Sequence, residues 1–259
     1  MNRGELPSNI QYKDPEYWDQ RFAEEDSYEW LASYSDISGL FKDALNRIGP
    51  NAKILQLGCG NSKLALDLYE DGFEDITNID ISEVVIEKMQ VKFPYMKFVK
   101  MDMTKLDFGS KQFDLVIEKA TLDALLVDSK SPWDLTSNGS KQVLEALHSV
   151  KSVLKPGGVF MSITFSQPHF RVPLLAQPGL DWAIQVDKFT TTGGVLDYYT
   201  FKCSDGSPAN AVSEWCVSNG PNIEMNDTWT SSDEEDYLTK IGTSSLGSSS
   251  EEDINNSVG

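Results

Sequence analysis

The stretch LQLGCGNSKLALDL, residues 55–68, decides how this chain folds. An apolar run ends in two glycines one residue apart, Gly58 and Gly60, and a helical pattern follows at once. Glycine is selected where φ turns positive or where another group must approach the main chain closely. The stretch therefore reads as a strand, a tight turn and a helix, with something seated against the turn.

Working outward, the same alternation recurs. AKILQLG (52–58), DITNIDI (75–81), KFVKMD (97–102), FDLVIEK (113–119) and GVFMSITF (158–165) are short apolar runs of the kind buried on both faces of a sheet. Helices lie between them, most clearly over Ser82 to Phe93 and over residues 140–154. In the latter, Val143, Leu144, Leu147, Val150 and Leu154 form one stripe before KPGG ends it. Strands alternating with helices predict an α/β fold with a doubly wound, Rossmann-like sheet, mostly parallel. WAIQVDKF (182–189) and LDYYTFKC (196–203), joined through Gly193 and Gly194, predict an antiparallel hairpin that closes it.

Two helices are expected before the first strand. Asp14 caps one, with Pro15 at its first position and Trp18 and Phe22 on one face. The other carries Ile37, Leu40, Phe41, Ala44, Leu45 and Ile48 at helical spacing and stops at Gly49 and Pro50. The expected organisation is a helical cap at residues 1–50 over the ligand site, a core at 51–204, and an acidic tail at 205–259. That tail is rich in Ser, Asn, Gly and acids, which predicts disorder with room for one short helix at 233–241.

Composition narrows the function. The 259 residues carry a net charge of −18, and eleven acids stand against Lys240 alone from residue 203 onward. Such a field repels phosphate backbones and attracts basic proteins or cationic ligands, so direct nucleic-acid binding is not expected. No apolar run reaches the ~18 residues of a membrane span. The first residues lack an apolar core of the secretory type, so no signal peptide is expected. Cys59, Cys203 and Cys216 are odd in number and lack C-x-x-C spacing. They predict a reducing, cytoplasmic setting with neither a disulfide frame nor a metal site.

In an open α/β sheet the ligand crevice lies beyond the carboxyl ends of the strands, where the strand order reverses. Gly58 and Gly60 follow the first strand, and Asp80 ends the second, twenty residues past Gly60. That spacing places a carboxylate on ribose hydroxyls, and two charge-assisted hydrogen bonds there are worth ~3 kcal/mol, about a hundredfold in affinity. Asp102 follows the third strand, placed to accept from an exocyclic adenine amine. Alternatives remain at this level: a tight turn alone explains the glycines, and a helix N-cap explains Asp102. A dinucleotide fingerprint requires a third glycine where Lys63 stands, which weakens the reading as an NAD site.

With these residues in place, the chain resembles the class I S-adenosylmethionine-dependent methyltransferases. Its LGCGNS (57–62), NIDISEVVIEKM (78–89), MDMTKLDF (101–108), EKATLDALL (118–126) and LKPGG (154–158) are similar to the subgroup that methylates lysines of translation elongation factor 1-alpha. The resemblance covers roughly residues 12 to 200 and includes the aromatic segment from EYWDQRF to YEW. It implies S-adenosyl-L-methionine as cofactor, elongation factor 1-alpha as protein partner, and cofactor contacts at Trp18, Phe22, Trp30, Gly58, Asp80, Ile81, Asp102, Met103 and Lys119, beside Gly60 in the turn. Aromatic rings there also suit a cationic sulfonium. Glu118 and Asp123, in the segment where the subgroup keeps residues needed for activity, are expected to line or shape the path of the acceptor amine. Their structural alternatives are an ion pair with Lys119 and a helix cap, respectively. His169, just past the fifth strand, overlooks the same crevice.

Two departures from the subgroup stand out. Phe22 replaces a tyrosine, and Ala120 replaces the glycine of an EKGTLD pattern. The acid that many methyltransferases keep two positions before the first loop glycine is Gln56, as in the subgroup. Other acceptors, or a binding module without activity, are the competing functions; an NAD-dependent oxidoreductase is a distant one.

Overall fold

A computed structural model of the chain describes residues 9–129, 135–192, 194 and 196–206. Of the acidic tail expected at 205–259, only Asp205 and Gly206 are described; the rest, its short helix included, lies outside the described residues.

Strand β1 (Ile54–Leu57) is buried along its whole length and pairs in parallel with β2 (Ile76–Asp80) on one side and β4 (Phe113–Lys119) on the other. The strands β3 (Lys97–Lys100), β5 (Leu154–Thr164), β6 (Trp182–Thr190) and β7 (Asp197–Asp205) complete a seven-stranded sheet of order β3-β2-β1-β4-β5-β7-β6. Its first five members are parallel, and β7 runs antiparallel to both β5 and β6. This is the mostly parallel, hairpin-closed α/β sheet that the alternating pattern predicts.

Helices cover both faces. Along β5, Val159, Met161 and Ile163 enter one core with Ile37 and Phe41 of α2 (Tyr34–Ile48) and Leu64 and Leu68 of α3 (Leu64–Glu70). Phe160 between them enters the other, with Val143, Leu147 and Val150 of α6 (Asn138–Val153). The two-residue period of a strand thus distributes its apolar side chains between the two layers. A third cluster joins Phe22 of α1 (Pro15–Glu24) to Cys59, Phe98 and the Val85, Ile86 and Met89 face of α4 (Glu83–Lys92). Asp14 caps α1 by accepting from Glu16 N at 3.0 Å, as its sequence predicts. A capping box of Ser33 and Asp36 starts α2, and Gly49 at φ 83° ends it.

Three elements are absent from the reading of the sequence. A 3-10 turn spans Asn9–Lys13, α5 spans Thr121–Leu126, and α7 spans Pro168–Leu175. Lys155, Pro156 and Gly157, expected as a turn before the strand at 158–165, fall inside the bounds of β5, which carries a register irregularity opposite Phe113 and Leu115. Third-strand pairing ends at Lys100, two residues short of the expected Asp102.

Candidate active site

Strand order reverses between β1 and β4, so their carboxyl ends open the crevice of a doubly wound sheet. Register places Leu57 beside Ile79 and Glu118, and Asp80 beside Lys100. Gly58, Asp80, Ile81, Met101, Asp102 and Lys119 therefore lie along a single edge.

The group seated against the glycine turn belongs to the chain itself. Gly58 and Gly60 have φ of 56° and 49°. A Cβ on Gly58 would lie 2.4 Å from the side chain of Thr121, and one on Gly60 would lie 3.3 Å from the ring of Phe22. The first glycine makes room for the start of α5, and the second for the aromatic ring of α1.

Asp80 is almost closed to solvent and divides its carboxylate between two loops. Oδ2 accepts from Gly60 N at 2.9 Å, and Oδ1 accepts from Ser82 N at 3.0 Å. Burial pushes its pKa up, opposed by the Ser82, Gly60 and Ile81 N–H groups. Beside it Ile81 is 44% exposed, a large apolar side chain bare at a strand tip in an otherwise closed neighbourhood. Asp102 is exposed, and its Oδ1 accepts from Thr104 N and Oγ1, both at 2.8 Å. It closes a local turn and starts no helix. Met103 is buried in the core below it.

The N-terminal strap is fastened across the turn. Asn61 donates to Glu25 Oε2 at 3.0 Å and accepts from Tyr28 N at 3.2 Å. Glu29 accepts from Lys63 N (2.5 Å), Ser62 Oγ (2.8 Å) and Lys119 Nζ (2.6 Å), and Lys119 also donates to Ala32 O at 2.9 Å. Burial lowers the pKa of Lys119, while Glu29 and Asp67 oppose that shift. Lys88 Nζ donates to Phe22 O and Glu25 O at the carbonyl end of α1, at 2.7 and 3.1 Å. Trp18 stacks with Phe22 at 5.5 Å and meets Trp30 edge-on at 6.1 Å. Arg21 lies 4.9 Å from the ring centres of both Tyr28 and Trp30, so one cation on these aromatics is already supplied by the chain. Glu25, Glu29, Asn61 and Lys88 do not appear among the residues singled out from sequence. The signal for Glu29 was a lysine at a buried strand end, which demands an acid nearby.

On the other side of the reversal lie Glu118 and Asp123, with their structural roles exchanged. Glu118 is 0% exposed and caps α5: its Oε2 accepts from Thr121 N (3.0 Å) and Leu122 N (3.1 Å), and its Oε1 from Ser162. It makes no ion pair with Lys119, whose partner is Glu29. Asp123 is the ion-paired residue, bound to the buried Arg171 of α7 and accepting from Thr164 Oγ1 at 2.7 Å. Burial pushes both carboxyls upward, and Arg171 opposes this for each. His169 is half-buried on α7, its ring 3.9 Å from that of Phe170, and burial lowers its pKa. Among the described residues no group of three or more His, Cys, Asp or Glu could hold a metal ion.

A dinucleotide pyrophosphate needs the free N–H groups of the glycine turn, but Gly60 N and Lys63 N are donated to the carboxylates of Asp80 and Glu29. The profile of the methyltransferase domain family matches residues 48–200. The chain belongs to that family. This methyltransferase is 35% identical to the EEF1A lysine methyltransferase 4 of Bos taurus over 253 residues, 92% of this chain and 95% of that one. It is 39% identical to the Mus musculus protein of the same name over 188 residues, 70% and 72% of the two chains. With the Homo sapiens eEF1A lysine and N-terminal methyltransferase it shares 37% over 168 residues, 62% of this chain and 23% of that longer protein. Among solved structures, the N-methyltransferase NodS of Bradyrhizobium japonicum WM9, in complex with S-adenosyl-l-homocysteine, superposes with a TM-score of 0.57 at 13% identity. The match covers 76% of this methyltransferase and 98% of NodS, and at that identity it shows the shared fold alone.

Proposed function

We propose that the chain is an S-adenosylmethionine-dependent protein-lysine N-methyltransferase whose acceptor is a lysine of translation elongation factor 1-alpha. One observation carries the cofactor: the turn amides that would hold phosphate are taken by the chain's own carboxylates, while Asp80 and the bare Ile81 stand together at the next strand tip. These residues fit an adenosyl group that bears a cation in place of phosphates. Asp80 would take the ribose hydroxyls with its remaining lone pairs, Ile81 and Met103 would flank the adenine, and Asp102 would accept from its amine. Phe22, Trp18 and Trp30 form the cover, and Lys119 would serve by anchoring it. The acceptor follows from the relatives named above and from the acidity of this chain, which suits a basic partner.

The bound cofactor would supply a methyl group already activated on a sulfonium. The protein's own task is then to present an uncharged amine in line with it. A lysine of ordinary pKa is neutral about once in two thousand at pH 7, a cost of ~4.6 kcal/mol, and desolvation in the crevice lowers that cost. Glu118 and Asp123 shape the acceptor side from beneath, through the start of α5 and its tie to α7. A cytoplasmic address belongs to the same reading, supported by Cys59 and Cys203 as buried free thiols.

Calorimetry with S-adenosylhomocysteine and with NAD tests the cofactor: heat is expected from the first alone. Asp80→Ala should weaken S-adenosylhomocysteine about a hundredfold, and unchanged affinity would remove Asp80 from the ribose site. Transfer of tritiated methyl to purified elongation factor 1-alpha tests the acceptor. Label on another lysate protein and none on that factor would replace the proposed substrate.

A further inference from the structure

The end of β5 holds a buried charge cluster that the chemistry above leaves without a task. Arg171, on α7, is fully buried. One of its terminal nitrogens, Nη2, donates to Asp123 of α5 and, at 3.2 Å, to Thr164 Oγ1 at the end of β5. Thr164 in turn donates to Asp123 at 2.7 Å and receives Ser166 N at 2.9 Å. The other guanidinium nitrogens, Nε and Nη1, find no acceptor among the described residues. Glu118, which feels the charges of Arg171 and Asp123, holds the first turn of α5 and accepts from Ser162 on β5. Two carboxyls and one guanidinium thus pin two short helices to the tips of β4 and β5.

Neither helix can hold that place by itself. Helix α5 has six residues and α7 has eight, with Pro173 inside. Segments this short are marginal without tertiary contacts. Burying an ion pair with idle donors is costly and is seldom the cheapest way to secure stability. The cofactor rim lies at the tips of β1, β2 and β3, closed from above by the strap. Helices α5 and α7 follow β4 and β5, across the reversal from β2 and β3. We propose that Arg171 is a positioning residue for the acceptor: through Asp123 and Thr164 it locks α5 and α7 into the wall against which the substrate amine is presented. The inference rests on the methyltransferase reading above and adds to it the residue that orders the acceptor side.

The test uses the full chain, with melting temperature, S-adenosylhomocysteine affinity and methyl transfer to elongation factor 1-alpha measured on each variant. Arg171→Lys keeps the charge but loses the planar fork. It should lower turnover at least tenfold and leave S-adenosylhomocysteine affinity within twofold. Arg171→Met leaves Asp123 unpaired and should melt early; adding Asp123→Asn removes that imbalance and should restore the melting temperature without restoring turnover. Thr164→Val removes the hydroxyl between the two ions, which also accepts from Ser166 N, so a modest loss of melting temperature should accompany a fall in turnover and a rise in the acceptor KM. Wild-type turnover in the double variant or in Thr164→Val would overturn the proposal, as would equal losses of cofactor affinity and turnover. Absence of S-adenosylhomocysteine binding by the wild-type protein would overturn instead the reading on which it rests.

Discussion

Ala120 sits at φ 65°, immediately after β4 and at the N-cap of α5. A side chain in that left-handed region costs ~1–2 kcal/mol, which glycine avoids at the expense of a more flexible unfolded chain. Ala120→Gly should therefore raise stability by up to about 1 kcal/mol in denaturant titration with S-adenosylhomocysteine affinity unchanged. A loss of stability would mean that the local turn tolerates alanine without strain. The glycine of the related EKGTLD pattern thus has a backbone reason, which sequence alone could not separate from a wider lysine channel. At Gly58 the same limit applied. Sequence showed that something must come close to the turn, and the structure shows that it is Thr121, sixty-three residues on.

The strap from Glu25 to Ala32 is held by contacts with residues more than thirty positions away in the chain. At its end Ala32 N donates to Trp30 O at 2.7 Å around Leu31 at φ 64°, the rare positive-φ form of the three-residue turn. The ion pair of Glu29 with Lys119 is asymmetric, since Lys119 is nearly enclosed and Glu29 is about a quarter exposed. Removing the acid strands a buried ammonium, which costs about 3 kcal/mol. Removing the lysine leaves a carboxylate that keeps Ser62, Lys63 and some water. Glu29→Ala should thus destabilise clearly more than Lys119→Met in urea denaturation, and the reverse order would show that the enclosed charge is Glu29. Helices α5 and α7 escaped the reading of the sequence because six and eight residues span barely two turns, too few for a 3.6-residue period to show.

For the whole molecule, buried carboxyls set the response to pH. Asp80, Glu118 and Asp123 each titrate above the ordinary carboxylate range, because burial disfavours their charged forms. The native state therefore holds protons that the unfolded chain has already released. The stability this contributes is complete below the unfolded pKa of about 4 and is lost as pH rises through the folded values. Asp36 and Asp205, pulled down by hydrogen bonds, act in the opposite sense and lose their contribution as pH falls. Glu118→Gln keeps an oxygen for Thr121 N and Leu122 N and an amide for Ser162, so the variant should fold. Its melting temperature should decline less than that of the wild type between mildly acidic and neutral pH. Equal slopes by calorimetry would show that Glu118 is ionised throughout that range.

The fold class and the alignment of residues along one edge of the sheet were legible from sequence because both follow from local pattern. Apolar period distinguishes strand from helix, and residues that end successive parallel strands must share an edge, so Gly58, Asp80 and Asp102 could be aligned before any contact was known. The partners of those residues were decided only by the tertiary structure. That Glu29 pairs with Lys119, that Phe22 rests on Gly60, that Glu118 reaches Ser162 and that Asp123 holds Arg171 are contacts across long stretches of chain. Such contacts are chosen by packing and by the need of each buried charge for a partner, and no spacing along the sequence encodes that choice.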